Sequence, residues 1–96
     1  MKNKFVKESN FMVVVSIENK PYVSDPEGET ILRDLVLKKG YSTVQSIRTA
    51  KALKITVKAR NSKRAEKIVR ELCEELRIFN PVVSNCTVKV ERRLPT

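Results

Sequence analysis

Few side chains in this 96-residue chain could act as nucleophile, proton carrier or metal ligand: it has no histidine, two cysteines and 11 acidic residues. Cys73 falls in a helical pattern and Cys86 in a strand pattern, each among apolar neighbours. Neither thiol has a base beside it in a motif, and no CxxC or second ligand pair is present, so nucleophilic catalysis and a metal site are both disfavoured. Two cysteines far apart, without a secretory leader, point instead to reduced thiols inside a cell. No nucleophile elbow and no glycine-rich phosphate loop occurs. The carboxylates lie mostly on helix surfaces, and only Asp25 has a distinctive place. It precedes Pro26-Glu27-Gly28-Glu29, where its carboxylate can accept the free N–H groups of a first helical turn. Pro26 fits the first helical position, and Glu27 and Glu29 suit the positive end of the helix dipole. Capping accounts for Asp25, so no catalytic, cofactor-binding or metal residue is expected in this chain.

Charge and length narrow the partners. Lys and Arg number 20 against the 11 acids, a net charge of +9. That balance suits a nucleic acid, a phosphorylated metabolite or an acidic protein face, or simply a solvated basic surface. Ninety-six residues predict one domain, 1–96, with residues 1–9 and 93–96 flexible. A chain of this size buries roughly 65% of its unfolded surface, a modest core that a partner subunit could supplement. The apolar run Phe11–Val15 is too short for a signal segment or a membrane span, and a cytoplasmic protein is expected.

The elements that must position any site follow from hydrophobic period. Phe11 to Glu18 alternates with both faces largely apolar, which predicts a central strand. A helix over about 26–39 has Ile31, Leu32, Leu35 and Val36 as its buried stripe. Lys38, Lys39 and Gly40 are its stop signal. A second strand is expected over about Val44–Thr49, imperfect because Val44 and Ile47 cannot share a face without a bulge. Ala50 and Lys51 are placed near a bend. From Leu53 to Arg60, Leu53, Ile55, Val57 and Ala59 alternate with Lys54, Thr56, Lys58 and Arg60, a half-buried strand with a basic outer row. Asn61 and Ser62 supply the next cap. A helix over about Lys63–Ile78 turns Ala65, Ile68, Val69, Leu72, Cys73 and Leu76 inward, and Asn80-Pro81 stops it. A last strand covers about Ser84–Arg92.

The order β-α-β-β-α-β predicts an α+β, ferredoxin-like sandwich: a four-stranded antiparallel sheet with two helices on one face. Its open face would carry Met12, Val14, Ala52, Thr56 and Thr87 among lysines, a mixture suited to a protein interface. The same order occurs in RNA-binding domains that stack bases on aromatics of their central strands. Here 51–60 has no aromatic residue and the first strand has only Phe11, assigned inward. A small basic nucleic-acid-binding module, held by phosphate contacts alone, is the alternative reading.

Four segments together carry a resemblance: Lys-Pro-Tyr-Val-Ser-Asp-Pro-Glu-Gly at 20–28, Ala-Lys at 50–51, Glu-Leu-Cys-Glu-Glu-Leu at 71–76 and Asn-Pro-Val-Val at 80–83. They resemble the PurS family, the small subunit of phosphoribosylformylglycinamidine (FGAM) synthase in de novo purine biosynthesis. The likeness covers about Met12 to Glu91. The chain departs from the family where Ala50 stands in place of a usual glycine and at the bulky Arg77-Ile78-Phe79. The resemblance implies a self-associating protein, a homodimer or higher homo-oligomer, that joins a large synthetase subunit and a glutaminase subunit. It implies no catalytic residues in this chain, with ATP and magnesium held by the large subunit. It also implies a scaffold that holds the two large subunits so that glutamine-derived ammonia passes between their active sites. Lys20, Pro21, Tyr22, Asp25 and Lys51 are the candidate partner-interface residues. Asp25, Pro26, Gly40, Ser62, Asn80 and Pro81 are the structural caps and stops.

Overall fold

A computed structural model describes residues 7–95. The strands are β1 (Ser9–Asn19), β2 (Ala50–Ala59) and β3 (Ser84–Arg93), and helix α2 spans Ser62–Glu75. Helix α1, residues 26–39, changes pitch along its length. It is α-helical over Pro26–Thr30, π-helical over Ile31–Val36 and 3₁₀ over Leu37–Lys39.

The sheet has the order β2-β1-β3 and is antiparallel throughout. β1 is central because both of its faces are apolar and both of its edges are paired. Val13 lies opposite Ile55 on one side and Val90 on the other. Helix α2 covers one face, and the core is Phe11, Val13, Val15, Ala59, Ala65, Val69, Cys73 and Val88. The 3.6-residue period of α2 meets the two-residue period of the strands there, and burial of Val- or Leu-sized side chains contributes about 1.5–3 kcal/mol each. The opposite face is open. Along β1 it shows half-buried Met12 and Val14, with Lys54, Thr56 and Lys58 on β2 and Lys89 and Arg92 on β3 opposite or beside them.

The sheet and the first helix both depart from expectation. Among the described residues the sheet has three strands, not four. Residues 44–49 run alongside without joining a ladder, and Thr49 gives its N–H to the Asp25 carboxylate instead of to a strand. Ala50 and Lys51, expected near a bend, are the first paired residues of β2, opposite Glu18 and Ile17. Helix α1 lies on neither face of the sheet. Its expected buried stripe is only partly buried: Ile31, Leu32 and Val36 are half-buried and Leu35 is 61% exposed. The helix projects as an arm, so the molecule measures 61 × 30 × 14 Å with a radius of gyration of 18.3 Å. A compact chain of this length would have a radius of about 12–13 Å.

Both helices end in the same backbone motif. At the tip of α1 the N–H of Gly40 donates to Leu37 O and that of Tyr41 to Val36 O, with Gly40 left-handed at φ 92°. At the end of α2 the N–H of Ile78 donates to Cys73 O, and the left-handed position is Arg77 at φ 53°. The helix therefore stops at Glu75, short of the expected Ile78, and Leu76 is 65% exposed rather than inward. Asn80-Pro81 lies beyond this stop, where the Asn80 side chain accepts the N–H of Val82 in a turn into β3. At the other end of α2 the capping side chain is Asn61, which accepts the N–H of Arg64 at 2.8 Å, and Ser62 is the first helical residue. An L-residue in the left-handed well costs about 1 kcal/mol that glycine does not bear. Arg77→Gly should accordingly raise unfolding stability by about 1 kcal/mol, read as a higher urea midpoint with an unchanged slope.

Candidate partner-docking surface

The segment 19–25 joins the sheet to the arm and is held from three directions. Asp25, 5% exposed, caps α1 by accepting the Gly28 N–H at 3.0 Å. The same carboxylate accepts the Thr49 N–H and, at 2.9 and 3.0 Å, the Thr49 hydroxyl. The neighbouring Arg48 guanidinium donates to three backbone carbonyls: Val23 at 2.9 Å, and Asn19 and Lys20 at 3.1 Å each. From the third side, the Lys20 N–H reaches Val83 O at 2.9 Å and the Tyr22 hydroxyl reaches Val82 O at 2.7 Å. The exit of β1, the entry of β2 and the entry of β3 thus meet at this loop.

Gly28 completes the joint. It is buried, and a Cβ there would overlap the carbonyl oxygen of Ile47 and come within 3.3 Å of the Arg48 Cα. Strap 44–49 can lie flat on the root of the arm only because position 28 has no side chain. Arg48 and Thr49 are not singled out by the sequence, and Gly28 enters there only within the 20–28 string. The carbonyls bound by Arg48 lie 25 to 29 residues away, and nothing in the local pattern marks them.

Backbone N–H donation from Thr49 and then from Gly28 holds the Asp25 carboxyl below its ordinary value of 3.8. A depressed carboxylate adds stability above the unfolded value and loses it as pH falls through the folded one. The stability difference between the parent protein and Asp25→Asn should therefore be constant near neutrality and shrink below pH 3.8. Thermal melts across an acid series measure it, and a difference that grows on acidification would refute the role given to this carboxylate.

The candidate interface residues do not form one cluster. Pro21 is exposed and Tyr22 is 74% exposed, beside Val82 at 69%. Lys20 is half-buried and Asp25 is buried as a fastener, which takes it out of direct contact with a partner. Lys51 lies on the other side of the joint. It lines a polar recess of about 380 Å³ with Glu18, Asn19, Glu27, Thr49 and Ser84.

Exposed large apolar side chains fall in two places. Leu35 (61%), Leu37 (42%) and Tyr41 (64%) lie on the arm, while Tyr22, Leu76, Ile78 and Val82 lie around the turn between α2 and β3. Apolar side chains concentrated on a projecting helix leave surface that a partner would cover. The arm is also polar end to end, with Glu27 and Glu29 at its root and Lys38 and Lys39 at its tip. Among the described residues no group of three or more His, Cys, Asp or Glu side chains could hold a metal ion. No described helix is long and apolar enough to cross a membrane.

Comparison with known proteins agrees with this architecture. Residues 12–92 match the family model described as PurS, phosphoribosylformylglycinamidine (FGAM) synthase. The chain is 39% identical over 74 residues to the phosphoribosylformylglycinamidine synthase subunit PurS of Archaeoglobus fulgidus, covering 77% of this chain and 90% of that one. The crystal structure of the purS subunit from Thermotoga maritima superposes with a TM-score of 0.76 at 34% identity, covering 92% of this chain and 99% of that one. A chain in the structure of PurLQS from Thermotoga maritima superposes at 0.72 with 37% identity, covering 84% and 96%. With an α+β fold around an antiparallel sheet and a family match over 12–92, this chain belongs to the PurS family of FGAM synthase.

Proposed function

We propose that the chain is the small, non-catalytic subunit of an FGAM synthase, a glutamine-dependent carbon–nitrogen ligase of de novo purine biosynthesis. It works as a scaffold that holds a large synthetase subunit and a glutaminase subunit so that ammonia released from glutamine reaches the synthetase site. ATP and its magnesium belong to the large subunit in this reading, and the complex works in the cytoplasm. The observation that carries it is the arm. A helix that holds Leu35 and Leu37 in solvent beside half-buried Ile31, Leu32 and Val36, fastened at its root by Asp25, Arg48 and Thr49, is built to present a surface to another chain.

The first occupant of the arm is a second copy of this chain. The acidic root and basic tip favour two arms packed antiparallel across a two-fold axis, where Glu27 and Glu29 of one copy approach Lys38 and Lys39 of the other. The homo-oligomer then offers its turn surfaces, with Tyr22, Ile78 and Val82, to the larger subunits. The test is co-purification of the chain with the two larger subunits from the same cell, by a tag on this chain. Recovery of both supports the reading; recovery of neither, with the tagged chain folded, overturns it.

A further inference from the structure

Cys73 and Cys86 have no part in docking, yet the fold brings them together. Cys73 is 1% exposed in the last turns of α2. Cys86 lies opposite Ile17 on β3, half-buried, two residues before the buried Val88 and so on the face that α2 covers. Both are free thiols. Both line one small cavity of about 30 Å³, closed by Val88 and Phe79 and flanked by Arg70 and Glu74. Burial, and next the adjacent Cys86, push the Cys73 thiol above its ordinary value, which keeps it protonated at neutral pH.

We propose that Cys73 and Cys86 form a peroxide-responsive thiol pair that closes to an intramolecular disulfide. Cys86, the more accessible of the two, acts first. Its sulfur attacks one oxygen of a hydroperoxide, the O–O bond breaks, and the departing oxygen takes the Cys86 thiol proton and leaves as water. Cys86 is left as a sulfenic acid. The Cys73 sulfur then attacks the Cys86 sulfur, the S–O bond breaks, and the oxygen leaves as a second water carrying the Cys73 proton. Two thiols and one hydrogen peroxide thus give one disulfide and two waters. The bond fastens the end of α2 to β3 across the turn that contains Arg77 in its left-handed conformation. Reduction by a dithiol returns the pair to its starting state.

The experiment treats the full chain with equimolar hydrogen peroxide at neutral pH, blocks remaining thiols with N-ethylmaleimide and measures intact mass. The expected product is a monomer about 2 Da lighter than the starting chain that takes up no maleimide. It should yield a peptide joining residues 73 and 86, and its melting midpoint should be about 10 °C higher, reversed by dithiothreitol. Cys86→Ser should take up no oxidative mass at Cys73, whereas Cys73→Ser, if folded, should stop at a sulfenic acid on Cys86. The proposal is overturned by an unchanged mass, by additions of about 16 or 32 Da on Cys86 without a crosslink, or by a disulfide-linked dimer in place of the internal bond.

Discussion

Gly28→Ala is expected to detach the strap 44–49 from the root of the arm while leaving the sheet intact. The added methyl group overlaps the Ile47 carbonyl oxygen, and its neighbours are backbone atoms, which cannot swing aside as a flexible side chain would. Lifting residues 47–48 breaks the contacts of Thr49 with Asp25 and of Arg48 with the carbonyls of Asn19, Lys20 and Val23. Overpacking at a site that cannot relax costs about 2–3 kcal/mol. Hydrogen exchange of the Thr49 and Gly28 amides should accelerate by roughly 100-fold, with amides of β1 little affected. Unchanged exchange at Thr49 would show that the strap does not depend on the missing side chain. Asp25→Ala should reproduce the loosening without the clash, since it removes the acceptor for both amides.

Leu35→Asp is expected to abolish self-association. Leu35 is 61% exposed at the middle of the arm, the stripe residue least covered within one chain. Truncating or charging a central apolar anchor of an interface costs on the order of 2–4 kcal/mol, and a two-fold interface loses it on both copies. The dissociation constant of the proposed dimer should rise by at least roughly 100-fold, seen as a shift to monomer mass in light scattering at micromolar concentration. The folded monomer should keep its melting midpoint, because the side chain contributes nothing to the core. A dimer that survives would move the contact elsewhere, to the open face of the sheet or the edges of β2 and β3. The charge swap Lys38→Glu, Lys39→Glu should weaken association less, and restoring it with Glu27→Lys, Glu29→Lys would establish the antiparallel packing directly.

How much of this was legible in the sequence depended on how local the cause was. The two-residue period of β1 and the helical period of α2 determine their own structure, and both elements were readable within a few residues. The cap of α1 was equally readable, since Asp25, Pro26 and Gly28 act within one turn. The stripe Ile31, Leu32, Leu35 and Val36 showed that α1 has an apolar face, but period alone cannot say whether the cover comes from the same chain. Assigning it to the sheet produced both errors, the two helices on one face and the fourth strand needed to support them. Segment 44–49 has strand-like residues but spends its polar groups on the joint: Thr49 on Asp25, Arg48 on carbonyls. In the same way, Arg77 in a left-handed position hid the end of α2, because that place is most often marked by glycine.

The central claim is that this chain couples two larger subunits while carrying none of the chemistry itself. The most direct measurement compares FGAM formation from glutamine and from added ammonium chloride, using the synthetase and glutaminase subunits with and without this chain. Omitting it should abolish glutamine-driven turnover while leaving ammonium-driven turnover of the synthetase in place. Adding it back should restore the glutamine-driven rate in proportion to the complex formed. Equal glutamine-driven rates with and without the chain would contradict its role as the coupling scaffold.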